Sequence, residues 1–116
     1  MATLQNAAIL IVLAALGGIT MLVIRLGGRN PPTWLALGHG AIALTGVGIL
    51  GYLYQAGPLP HLANWALLVF LLAAAGGATL FLGFHLRGKL LPIALILGHG
   101  LIAATGLGLL LTALFK

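Results

Sequence analysis

The sequence predicts an all-α integral membrane protein: a four-helix transmembrane bundle, up-down-up-down, built from two parallel repeats of a helical hairpin. Three observations lead there. The chain has 116 residues, 62% hydrophobic and 4% charged, which fits runs of about 20 apolar residues crossing a bilayer and not a soluble core. Four such runs are separated by short breaks holding Gly, Pro or basic residues. The third observation is a repeat. LGHGAIALTGVGIL, Leu37 to Leu50, returns sixty positions later as LGHGLIAATGLGLL, Leu97 to Leu110.

Taken in order, the first span runs from about Leu4 to Ile24 and is closed by Arg25 and a Gly-Gly-Arg-Asn-Pro-Pro turn. It lacks the basic n-region of a signal peptide, so it is read as a mature helix. The second starts near Thr33, after Pro31 and Pro32, residues suited to a helix start, and ends near Gln55. Ala56 to His61 is a short Gly/Pro turn. The third span runs from about Leu62 to His85 and the fourth from about Leu91 to Phe115, with Pro92 in its first turn. Connections this short predict antiparallel neighbours. The chain is one transmembrane domain, 1–116, with repeat 1 over about 4–55 and repeat 2 over about 62–115.

The repeat extends beyond the shared GHG. Leu26, Gly28, Pro32 and Leu35 match Leu86, Gly88, Pro92 and Leu95, and Thr45, Gly46 and Gly48 match Thr105, Gly106 and Gly108. Arg25 aligns with His85, and Arg29 with Lys89. In the first and third spans the register slips by one, pairing Gly17 and Gly18 with Gly76 and Gly77. Copies that run the same way through a membrane are parallel repeats about an axis along its normal.

Composition excludes much chemistry. There is no Cys, which removes disulfides, iron–sulfur clusters and thiolate metal sites. There is no Asp or Glu, which removes carboxylate acids and bases, calcium sites, and the acidic group a cation antiporter needs. A net charge of +5 is too sparse, and too confined to span ends, for nucleic acid. It reads as topology. Arg25, Arg29, Arg87 and Lys89 fall in the loops joining spans one to two and three to four, whereas the loop around Gly57 carries no Lys or Arg. These signals place the basic loops in the cytoplasm and both termini outside, with a bacterial inner membrane as host and lipid as the surrounding partner. Trp34 near one interface, and Tyr52, Tyr54 and Trp65 near the other, fit aromatic belts.

His39 and His99 are the candidate site. Ionisable side chains inside spans are rare and usually face a bundle interior where they act. Each lies seven residues past its proline, roughly 10 Å below the cytoplasmic edge at 1.5 Å per residue. Gly17 and Gly18 in the first span, and Gly76 and Gly77 in the third, fall at about that depth. On a helical wheel Gly46 lies within about 20° of His39, and Gly106 repeats this around His99. The histidine-bearing face is short-chained, so a flat macrocycle held by two axial imidazoles suits it. The plainer alternative is that Gly and Ala serve helix packing and each histidine bonds across to a neighbour. Thr45 and Thr105 are expected to bond back to their own helices. His85 is expected at the basic interface, with a third-ligand or proton-handling role as its alternative, and His61 in solvent.

Two histidines on the second and fourth spans, facing each other across glycines, resemble the haem-carrying core of four-helix membrane b-type cytochromes. The resemblance rests on the four spans, His39, His99 and the glycines. It implies one haem b with His39 and His99 as axial metal ligands, and Gly17, Gly18, Gly46, Gly76, Gly77 and Gly106 giving the ring clearance. Arg25 and Arg87 are then the residues placed to meet its propionates. The implied role is electron transfer, with a quinone or other redox partner, alone or in a respiratory or photosynthetic complex. Those families usually carry a second histidine pair near the other face, and this chain has none. The alternatives are a structural subunit packed through its Gly-rich faces against other membrane subunits or as a homo-oligomer, a small dimeric transporter, and a chlorophyll-binding protein.

Overall fold

The computed structural model describes residues 2–116, and among them every regular element is helical. α1 spans Leu4–Leu26, α2 Thr33–Ala56, α3 His61–Leu80 and α4 Ile93–Phe115. α3 continues without a break into a π-helical turn, Phe81–His85. All four are long and apolar enough to cross a bilayer, with mean hydropathies of 2.7, 1.5, 2.3 and 2.0 over an 18-residue stretch of each, the π turn counted with α3.

The helix ends follow local chemistry. Thr3 caps α1, its hydroxyl accepting from the Asn6 amide at 3.0 Å. α1 stops at Gly27, and Gly28 turns the chain with a φ of +99°. Gly88, sixty positions on, does the same at +68° after the π turn. No other described residue lies in the left-handed region, so glycine is needed for both of these turns. Pro32, Pro60 and Pro92 stand at the N-caps of α2, α3 and α4. Proline lacks only an N–H that a helix start leaves unpaired. Pro92 therefore sits one position earlier than expected, at the cap and not inside the first turn.

α1 packs along α2 and α3 along α4, and the two pairs join through α1–α4 and, less extensively, α2–α3. The core gathers Ala7, Ala8 and Ile11 of α1 and Ala66 and Phe70 of α3 with Leu50 of α2 and Leu110 of α4. These come from the N-terminal halves of α1 and α3 and the C-terminal halves of α2 and α4. Leu50 and Leu110, sixty positions apart, are both fully enclosed. Alanines elsewhere in the core bring the backbones close, and this drives association in lipid, where burying apolar surface gains little.

The outward surface is apolar: Leu16, Ile19 and Val23 on α1, Leu44 on α2, Leu72 on α3 and Leu101 on α4 are all more than half exposed. In a molecule of 43 × 21 × 19 Å these side chains form the surface that hydrocarbon would cover. No charged or polar residue is buried among the described residues.

Side chains of repeat 1 bind the backbone of repeat 2 at the basic end. The Arg25 Nε donates to the Leu91 carbonyl at 2.8 Å. Asn30 donates from Nδ2 to the Lys89 carbonyl at 2.7 Å and accepts from the Leu91 amide at 2.9 Å. The Thr33 hydroxyl lies 3.2 Å from His85 Nε2, and Phe81 lies beside the His85 ring. The π turn was expected as ordinary helix. It places His85 opposite Thr33, a relation that no periodicity within one helix encodes.

Candidate histidine centre

His39 is on the second turn of α2 and His99 on the second turn of α4. Their ring centroids are 6.2 Å apart and their planes stand 80° to one another. Each ring is held the same way. His39 Nδ1 is 2.7 Å from the Ala14 carbonyl of α1, and His99 Nδ1 is 2.8 Å from the Ala73 carbonyl of α3. A carbonyl oxygen only accepts, so both Nδ1 atoms carry the hydrogen. In the neutral ring Nε2 then holds the lone pair. Neither Nε2 has a hydrogen-bond partner among the described residues.

The glycine pairs make this arrangement possible. In an α-helix the Ala14 carbonyl accepts from the amide of Gly18, four residues on, and Ala73 stands in the same relation to Gly77. For an imidazole to reach that carbonyl it must lie across the fourth residue. A Cβ added at Gly18 would sit 3.2 Å from His39 Cε1, and one at Gly77 3.2 Å from His99 Cε1. At Gly17 and Gly76 the nearest atoms are again those of His39 and His99. The two glycine pairs are slots for the imidazoles.

Gly46 and Gly106 have a different tenant. A Cβ at Gly46 would meet Ile11 Cγ1 at 2.8 Å and the Ala7 carbonyl at 3.2 Å, and one at Gly106 would meet the Phe70 ring at 2.8 Å. Ile11 and Phe70 occupy matching places in α1 and α3. All six glycines expected to clear a macrocycle thus receive protein side chains. The positions beside the histidines where an added Cβ meets nothing within 4 Å are Gly38, Gly40, Gly98 and Gly100.

Of the two arginines, Arg25 is partly buried and engaged through Nε with Leu91, and Arg87 is exposed. His61 is exposed, and His85 is taken up with Thr33 and Phe81. Thr45 and Thr105 bond back to the carbonyls of Ala41 and Leu101 at 2.7 and 2.8 Å, as expected. His99 also borders an open groove of about 250 Å³ lined by Gly76, Thr79, Leu95, Gly98 and Ile102. This is below the roughly 300–1,000 Å³ of ligand pockets.

Sequence reasoning missed the parts supplied by the backbone: the Ala14, Ala73 and Leu91 carbonyls. The sequence did carry a signal for the first two, since Ala-x-x-Gly-Gly occurs at Ala14–Gly18 and again at Ala73–Gly77. Among the described residues no three or more His, Cys, Asp or Glu side chains gather as a metal-holding group. Compared with family models, curated proteins and solved structures, the chain has no match.

Proposed function

We propose that the chain is an integral membrane electron carrier that binds one haem b, with His39 and His99 as axial ligands of its iron. The observation carrying this reading is the imidazole pair. Two imidazoles bound to one metal at about 2 Å place their centroids about 6 Å apart, and His39 and His99 stand at 6.2 Å. Each ring is oriented by an Nδ1–H···O=C bond, the kind of outer-shell bond that metal-binding histidines use, and this leaves the Nε2 lone pair without a protein partner among the described residues. A centre with only two protein ligands suits a metal that brings its equatorial ligands with it.

When bound, haem supplies reversible one-electron chemistry. The residues of the chain do the rest. Ala14 and Ala73 hold the imidazoles in one tautomer, the glycine slots fix their height, and the apolar helices keep water from the centre. Clearance for a flat ring lies at Gly38, Gly40, Gly98 and Gly100. Arg87 and the Nη atoms of Arg25, with Arg29 and Lys89 beside them, are the cations at the basic end, in a chain with no Asp or Glu to pair with them. In this reading the helices run up-down-up-down as two parallel repeats, supported by equivalent contacts at His39/His99, Ala14/Ala73, Ile11/Phe70 and Leu50/Leu110. The basic loops face the cytoplasm and the membrane is a bacterial inner membrane.

A second reading rests on Gly46 and Gly106. Their close contacts with Ile11 and Phe70 favour glycine as a packing device, and with it a structural subunit of a larger membrane complex. An absorption spectrum of the detergent-purified protein from haem-replete cells, oxidised and then dithionite-reduced, decides between them. The expected result is the sharp reduced band of a low-spin bis-histidine haem. A colourless protein overturns the haem reading and leaves the structural one.

A further inference from the structure

We infer that the haem-free bundle binds one monovalent copper ion, Cu(I), in two-coordinate fashion between His39 and His99. The inference shares with the haem reading the premise that these two imidazoles are metal ligands, but it requires no macrocycle. The chemistry of the donor set selects the ion. Two neutral nitrogens are the whole protein contribution, since no third His, Cys, Asp or Glu gathers there among the described residues. Zinc takes four ligands in structural sites and three plus water in catalytic ones, and calcium and magnesium take oxygens. None of these is satisfied by two imidazoles.

Charge narrows the choice further. The chain has no Asp or Glu, and uncompensated charge in hydrocarbon is costly. A divalent ion would bring two positive charges to this layer and a monovalent ion one. Imidazole is a good ligand for copper. A d¹⁰ monovalent ion also accepts two ligands alone, and ring centroids 6.2 Å apart leave room for one ion between the two imidazoles. Because both Nδ1 atoms already donate to carbonyls, each ring has its Nε2 left for the ion.

The test is a titration of the haem-free, detergent-purified full chain with Cu(I) against a chromogenic Cu(I) chelator under reductant. Ag(I) serves as the redox-inert probe in parallel. The expected result is one ion per chain, with X-ray absorption reporting two nitrogen neighbours at about 2 Å. His39→Ala and His99→Ala should each weaken binding by more than about 100-fold, beyond the 10–100-fold typical of losing an outer-shell partner. His61→Ala and His85→Ala should leave it unchanged. Circular dichroism checks folding, and His39→Gln replaces His39→Ala if the alanine variant loses helix. Wild-type stoichiometry in the His39→Ala/His99→Ala double variant, or no binding above that variant, overturns the proposal. The two readings fail separately: haem without Cu(I) binding removes this one alone, and Cu(I) binding by a chain that never takes haem removes the other alone.

Discussion

His39 donates from Nδ1 to the carbonyl of Ala14 at 2.7 Å, lying across Gly18 of the neighbouring helix. Sixty positions on, His99 repeats the bond to Ala73 at 2.8 Å across Gly77. One relation thus explains a histidine, an alanine and a glycine pair in each half. The imidazole needs a backbone carbonyl as acceptor, and the carbonyl is reachable only where the next turn of helix has no side chain.

The slot predicts a contrast between neighbouring glycines. Gly18→Ala puts a methyl 3.2 Å from the imidazole, whereas Gly38→Ala meets nothing within 4 Å. Gly18→Ala should weaken the Nδ1–carbonyl bond and so come out about 0.5–1.5 kcal/mol less favourable than Gly38→Ala, since both gain the same helix propensity. Gly38→Ala should be neutral or stabilising by up to about 1 kcal/mol through helix propensity. Unfolding in mixed micelles gives the energies, and ¹⁵N chemical shifts of the ring nitrogens report the bond. Equal effects of the two substitutions would remove the slot as an explanation.

If the proposed haem site is right, deleting either histidine should have the same consequence for haem. His39→Ala and His99→Ala are each expected to convert a low-spin spectrum into that of a weakly held, five-coordinate ring, because one imidazole remains. Absorbance and electron paramagnetic resonance of the reconstituted variants read this directly. Low-spin spectra unchanged in both single variants would rule out this pair and bring His85 forward.

Filling the other glycines should damage packing without touching the histidines. Gly106→Ala pushes a methyl to 2.8 Å from Phe70, which is 3% exposed and has little room to yield. Overpacking of this kind costs about 1–3 kcal/mol. Phe70→Leu should recover part of it, with a coupling above about 0.5 kcal/mol in a double-mutant cycle. Gly46→Ala should be harder to rescue from Ile11 alone, because its methyl also meets the Ala7 backbone carbonyl. Additive effects at Gly106 and Phe70 would show that they are not in contact.

Asn30 makes two of the bonds that join the two loops. Asn30→Ala removes bonds to both the Lys89 carbonyl and the Leu91 amide, and Leu91 is 5% exposed. Leaving a buried amide unpaired costs about 1–3 kcal/mol. The expected outcome is faster proteolysis and hydrogen exchange at 86–92, with the region around Leu50 and Leu110 unaffected. Unchanged exchange at 86–92 would mean that the Arg25 and Thr33 contacts hold the loops together without Asn30.

The sequence by itself determined the four long apolar helices, their ends to within about two residues, and the matching positions of the two histidines, seven residues past Pro32 and Pro92. These are local properties: hydropathy sums along one helix, proline and glycine end it, and rise per residue converts position into depth. Leu4, Thr33 and Phe115 bound their helices as expected, and the turns at Gly28 and Gly88 were marked by glycine itself. The facing of His39 and His99 was also legible, because equal depth and repeated spacing constrain both. Only the tertiary structure decided what fills each glycine. A helical wheel gives the direction of a face and not the atom that arrives there, so Gly17 and Gly18 could not be told from Gly46. The imidazole came to one and Ile11 to the other. Backbone carbonyls carry no mark in a sequence, which is why Ala14, Ala73 and Leu91 emerged as acceptors only once neighbouring helices were in place. The π turn at Phe81–His85 belongs with them, since the contact between His85 and Thr33 joins residues that local propensity never compares.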